Sequence, residues 1–223
     1  MKITSLGICC ILLMLSFLTQ SSFAQKISDQ QHNYGQLPEV QTIRKSNQSE
    51  IPAYIGFRKN QEITNAELNT WLQDKLEVSQ DMGLNLIRSE KDALGHVHFR
   101  YQQTYLGTPV EDAIWIAHTK ANKIYALNGL LYKNLETPTS RSLSEADALN
   151  KALDFVGAEV YKWEVAGEEQ HLKWETGNPD ATYMPKAEIV LVSDSKSNFE
   201  RNAVKLAYKF NVYALKPLYR AEI

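Results

Sequence analysis

Residues Gly95 to Val110 read GHVHFRYQQTYLGTPV. Between His96 and Tyr105 the side chains alternate, with Val97, Phe99, Tyr101 and Tyr105 on one side and His96, His98, Arg100, Gln102 and Thr104 on the other. A period of two belongs to a half-buried strand. Gly107-Thr108-Pro109 then supplies turn residues. Two further runs follow, Val110 to Thr119 and Ile124 to Tyr132, separated only by Lys120-Ala121-Asn122-Lys123. Three strands on short loops predict an antiparallel meander.

Upstream, Thr64 and Glu67 have the spacing of a capping box, with Ile63 and Leu68 placed as its hydrophobic staple. Leu68, Trp71, Leu72 and Leu76 share one helical face, so an amphipathic helix is expected over 65–77 that docks on its own domain. Trp115 and Tyr125 are expected in the core, as aromatic residues of central strands. The charge-rich stretches Arg88 to Asp92 and Glu168 to Glu169 are read as solvated loops.

Downstream, Pro138 and the Thr/Ser-rich stretch 137–142 mark a linker and a domain boundary. Leu143-Ser144 with Asp147 and Ala148 then reads as a staple and a helix cap. Ala146, Leu149, Ala152, Leu153 and Val156 make an apolar stripe ending at Gly157, which predicts a second helix. Ala187 to Val192 and Lys205 to Tyr213 are expected strands for it to lie on, and Tyr219 to Ile223 reads as the beginning of another. The fold class expected is α+β: a helix with an antiparallel meander over 51–136, the linker at 137–142, and a second small α+β module over 143–223.

The opening stretch resembles the core motif of the propeptide domain shared by fungalysin-like and thermolysin-like secreted zinc metallopeptidases. The pattern falls on Gly95, His98, Arg100, Tyr101, Gln102, Gln103, Gly107, Pro109 and Val110. The helix-then-strands order after 143, with LAYKFNVYAL at 206–215, resembles the cystatin-like PepSY module that follows this domain in the same family. The resemblance implies a non-catalytic pro-region that helps its own peptidase domain fold and keeps it inactive until cleaved. The partner would be that catalytic domain, in cis or in trans, and any zinc would sit there. Family members continue with a further strand and the catalytic domain, so the PepSY-like module is expected to be truncated at Ile223. The alternative is a freestanding exported inhibitor or binding module.

The first 24 residues carry one charge, Lys2, then an apolar run from Ile8 to Leu18 and the small-residue sequence Ser22-Phe23-Ala24. That is the layout of a secretory signal peptide, with cutting expected between Ala24 and Gln25 and a secreted or periplasmic product. The run is shorter than the ~20 residues that span a bilayer, so no stable membrane insertion is expected. Both cysteines, Cys9 and Cys10, lie inside the run, and Ile8 precedes them, which argues against a lipoprotein signal. They would leave with the signal, so the exported chain has no disulfide, thiol nucleophile or cysteine metal site. Without Lys2 the net charge is one unit more negative than the −2 of the whole chain, which gives no reason to expect nucleic-acid binding. Residues 25–50 are polar and are expected to form a flexible leader. Asn47-Gln48-Ser49 matches a glycosylation pattern that carries little weight beside a bacterial-looking signal.

A thermolysin-like zinc site needs His-Glu-x-x-His, whereas the five histidines stand at His32, His96, His98, His118 and His171 and none fits. No P-loop or Gly-x-Ser-x-Gly elbow is present either. No catalytic or metal-binding residue is therefore assigned. His96 and His98 share a strand face and offer two ligands, fewer than a convincing metal site holds. His98 and Arg100 read instead as groups that hydrogen-bond across the sheet or anchor a loop, with Glu111, Asp112 or Glu90 as candidate carboxylate partners. Glu168 and Glu169, adjacent beside Gly167, do not converge as an acid/base pair must.

Overall fold

A computed structural model describes residues 31–135, 143–193 and 204–223. The expected signal peptide, its cleavage point and the linker at 137–142 lie outside the described residues. The described chain falls into two compact units, one within Met1–Glu136 and Ser193–Val204, the other within Thr137–Val192 and Lys205–Ile223. The architecture is mixed α+β with antiparallel sheets and few helices.

The first unit contains β1 (Val40–Arg44), β2 (Tyr54–Phe57), α1 (Leu68–Leu76), β3 (Met82–Lys91), β4 (Val97–Tyr105), β5 (Thr108–Lys120) and β6 (Lys123–Gly129). Its strands run β1-β2-β6-β5-β4-β3 across the sheet, each pair antiparallel. Alternation sends Ala113, Trp115, Ala117 and Thr119 of β5 inward, all buried. Helix α1 buries Leu68, Trp71, Leu72 and Leu76. The Trp71 ring meets Phe57 edge-on at 5.1 Å, and its Nε1 donates to Glu39 at 2.8 Å. Trp115 is therefore core, whereas Tyr125 is only half-buried, a correction to its expected place.

Four more expectations for this unit are corrected. Residues 31–50 are not a flexible leader: β1 pairs with β2, and Gln31, Tyr34, Val40 and Ser49 are buried. The polar side chains there serve the backbone instead of water, since Gln31 Nε2 donates to the Ser46 and Ser49 carbonyls and its Oε1 accepts from Ser46 N. Helix α1 starts at Leu68, not Asn65, because only half of the capping box forms. Thr64 N and Oγ1 both donate to Glu67 Oε2, which closes a turn before the helix, and Ile63 bridges to Ile124. Arg88 to Lys91 belong to edge strand β3, whose alternation is broken by a bulge between Leu86 and Arg88. The third expected strand stops at Gly129, where φ is +134° and a Cβ would lie 2.1 Å from the Ile114 carbonyl oxygen.

The second unit contains α2 (Glu145–Val156), β7 (Val160–Tyr161), a 3-10 turn (Lys162–Glu164), α3 (Ala166–Thr176), β8 (Glu188–Ser193), β9 (Val204–Lys209), β10 (Asn211–Lys216) and β11 (Tyr219–Glu222). Ser144 caps α2 by accepting from Asp147 N at 3.1 Å, and Gly157 ends it at φ +60° with its N–H on the Leu153 carbonyl. Of the expected stripe, Ala152 is buried, Leu149, Leu153 and Val156 are partly so, and Ala146 is exposed, its place taken by Ala148. These pack on Tyr161, Phe210 and Val212. The strand expected over 205–213 is two strands divided at Phe210, and 219–222 form β11 on β10. Glu168 and Glu169 lie in the first turn of α3, where acidic groups suit the helix dipole, instead of in a loop. Glu168 pairs with Lys162 at 3.1 Å and Glu169 accepts from Tyr183 N at 2.7 Å.

Candidate functional site: the motif hairpin and its outer face

Strand β4 carries the motif, and alternation divides its residues between two faces. Facing the core, Gln103 is fully enclosed; its Nε2 donates to the Tyr132 carbonyl at 2.8 Å and its Oε1 accepts from Tyr132 N at 2.9 Å. One side-chain amide thus pairs both backbone groups of a residue beyond the end of β6, as a neighbouring strand would. Tyr101, on the same side, donates to Asn65 at 3.4 Å, and burial raises its phenol pKa above the ordinary value.

The other face is reached through an irregular hairpin. Leu106 and Gly107, at φ +47° and +81°, form the two-residue turn between β4 and β5. Thr104 pairs with Pro109, but Gln102 pairs with Ile114, so two steps along β4 correspond to five along β5. The excess bulges out over 110–113, with Asp112 at φ +63°. Carbonyls freed by a bulge need donors. Gln102 Nε2 supplies them, to Val110 at 2.5 Å and Ala113 at 3.2 Å, while the Val110 side chain is buried. Gln102, Gly107, Pro109 and Val110 are thereby parts of one turn-and-bulge construction, while Gln103 holds the segment after β6.

The bulge also sets which residues meet outside. His98 stands opposite His118, and their Nδ1 atoms are 2.7 Å apart. His98 Nε2 lies 3.4 Å from Asp92 Oδ2, His96 Nδ1 is 3.3 Å from the same oxygen, and His118 Nε2 meets Asn128 Oδ1. The Tyr125 ring packs 5.5 Å from His96 and 6.1 Å from His118. Asp92 closes the β3–β4 turn, accepting from Leu94 N and His96 N at 2.9 Å each, with Gly95 at φ +83°. Partial burial works against its charge, but the His96 and Leu94 amides and His98 outweigh it and hold the carboxyl below its usual value. Asp92 is thus the carboxylate that His98 uses, in place of Glu111, Asp112 or Glu90. Arg100, opposite Arg88 and Ile116, is half-buried and makes no ion pair among the described residues.

Sequence reasoning did not find Asp92, His118 or Asn128. The Asp-x-x-Gly turn ahead of β4 was a usable sign for Asp92, whereas the pairing of His118 depends on the bulge. Among the described residues no group of three or more His, Cys, Asp or Glu is arranged to hold a metal, and no helix is long and apolar enough to cross a membrane. A pocket beside α1 and β3, lined by Leu72, Met82, Gly83 and Gln103, has about 10 Å³ of room, enough for one water.

The Fungalysin/Thermolysin Propeptide Motif matches residues 83–131, which contain all nine motif positions. Bacillolysin of Bacillus amyloliquefaciens is 40% identical over 77 residues, and bacillolysin of Bacillus subtilis (strain 168) 38% over 77; each alignment covers 33% of this chain and 15% of the relative. Thermolysin of Bacillus caldolyticus is 30% identical over 140 residues, 60% of this chain and 22% of the relative. The chain therefore spans between 15% and 22% of the length of these relatives, and the propeptide motif that it matches is built on the β3–β6 meander.

Proposed function

We propose that this chain is the non-catalytic pro-region of a secreted thermolysin-like zinc metallopeptidase, acting as folding assistant and inhibitor of the peptidase domain. The observation that carries this reading is the match of 83–131 to the propeptide motif. Its similarity to bacillolysin and thermolysin supports the peptidase class. On this reading residues 1–24 are the export signal, 143–223 form a PepSY-like module, and zinc belongs to the peptidase domain and not to this chain.

Physically, the pro-region works as a ligand of the folded catalytic domain. Binding the native state and not the unfolded one pulls folding forward, and occupying the substrate cleft blocks turnover. In cis, the tether raises the effective concentration to the millimolar range, so a weak interface suffices until the linker is cut. The test is to refold a denatured bacillolysin-type catalytic domain with and without the purified chain. A higher yield of active enzyme, with activity suppressed by excess chain, is expected. If the chain changes neither yield nor rate, the reading fails.

A further inference from the structure

The pairings of the first sheet line up one residue from each of its six strands. Arg44 stands opposite Tyr54, Tyr54 opposite Asn128, Asn128 opposite Ile116, Ile116 opposite Arg100, and Arg100 opposite Arg88. Residues directly opposite in antiparallel strands share a face. These six therefore form one line from edge to edge, about 24 Å long at ~4.8 Å per strand. Trp71 of α1 meets Phe57, which alternation along β2 turns away from Tyr54, so the helix covers the other side of the sheet. Burial agrees. Ala113, Trp115 and Ala117, on the α1 side of β5, are buried, whereas Ile114 and Ile116 remain partly exposed in the middle of the sheet.

This face is short of carboxylates. Arg88 is paired with Glu90, two residues on, at 3.2 Å, and both side chains are 59% exposed. Arg44 lies over the Tyr54 ring, 4.5 Å from its centroid. Asp92, at the nearby β3–β4 turn, is taken by His96, His98 and two backbone amides. Arg100 is half-buried, has a like charge directly opposite, and makes no ion pair among the described residues. Like charges placed opposite each other weaken a strand pair. A guanidinium partly withdrawn from water also loses hydration, and nothing in this unit replaces it with a counter-charge.

We infer that this line is a docking surface whose partner is a protein face bearing a carboxylate for Arg100 beside apolar side chains for Ile114, Ile116 and Tyr54. The inference rests on the pro-region reading, which makes the partner the peptidase catalytic domain. Arginine and tyrosine set among aliphatic side chains have the composition of a protein interface. A polyanion suits the face less well, since Arg88 is already neutralised, the line runs through Ile116, and the whole chain carries a net charge of −2. A carboxylate that takes two parallel hydrogen bonds from the guanidinium supplies the missing charge and fixes the orientation of docking.

The experiment is calorimetric binding of the full chain to a bacillolysin-type catalytic domain inactivated by substitution, for the parent, for Arg100→Gln and for Lys151→Gln, whose side chain is exposed on α2 of the second unit. Arg100→Gln is expected to weaken binding about tenfold or more, as loss of a hydrogen bond to a charged group gives, and Lys151→Gln less than twofold. Equal affinity of the parent and Arg100→Gln overturns the docking face and leaves the pro-region reading standing. No binding by the parent overturns that reading and the docking face with it. Should Arg100→Gln not fold, methyl NMR of the parent decides: the Ile114 and Ile116 signals are expected to shift when the catalytic domain is added, and a complex that leaves them unmoved overturns the inference. Binding of heparin that Arg100→Gln abolishes, with binding of the catalytic domain unchanged, assigns the face to a polyanion and likewise overturns it.

Discussion

In the first unit Trp115, Ile55, Leu127 and Leu76 are sealed by a six-stranded sheet and α1, whereas the core of the second is Ala148, Ala152, Tyr161, Phe210 and Val212, and α3 buries no residue at all. The first also encloses polar groups, Gln31 and Gln103, each bonded to backbone. Burying an amide is tolerable only when its partners are fixed, so these residues hold the irregular segments 46–49 and 130–132 in one conformation. The second unit has ordinary strands, a well-capped helix and little apolar volume. Large side chains and stapled loops give the first unit a single tightly specified shape; the second depends on two rings, Tyr161 and Phe210, set among small side chains.

If that contrast is right, the most damaging change lies where backbones touch in the first unit. Gly129→Ala places a Cβ 2.1 Å from the Ile114 carbonyl oxygen at φ +134°, and a loss of ~4 kcal/mol or failure to fold is expected by thermal unfolding. A soluble variant melting within a degree of the parent would mean β5 and β6 do not meet as described. Next, Phe210→Ala should cost ~3–4 kcal/mol and open the second unit while β4 and β5 stay protected in hydrogen exchange. Simultaneous loss of protection in both units would show that they unfold together. Gln103→Ala leaves Tyr132 N and O without their partner, and a fall of ~2–3 kcal/mol in urea unfolding is expected. The smallest effect is expected from Arg100→Ala, under ~0.5 kcal/mol, because its guanidinium makes no ion pair among the described residues. If instead this variant unfolds the chain, Arg100 serves the fold; if it folds but no longer assists refolding of the peptidase domain, Arg100 is a docking residue.

Much of the fold was legible wherever one local rule sufficed. The alternation over 96–105, the Ser144 and Gly157 caps and the apolar face of α1 depend on neighbours a few residues away, whereas the turn expected over Gly107-Thr108-Pro109 falls on Leu106-Gly107, with β5 already paired at Thr108. Reading failed where a side chain answered a distant need. Gln31 and Ser49 look like solvated leader residues until the backbone they bond is known. Strand β3 lies on an edge with a bulge, so Leu86 and Ile87 are both 54% exposed and no alternation survives.

The amino-acid sequence alone determined that β4 is a strand, which of its residues point to opposite faces, and that a turn follows it, because period and turn chemistry are local. What stands opposite His98 was decided by tertiary structure. Continued without a bulge from the Tyr105–Thr108 pair, the hairpin would set His98 against Trp115. Three surplus residues in β5, held by Gln102 and the buried Val110, slide the register to His118. Such a bulge persists only where the freed carbonyls find donors and the displaced side chains find a core, and both come from parts of the chain that a local pattern does not contain.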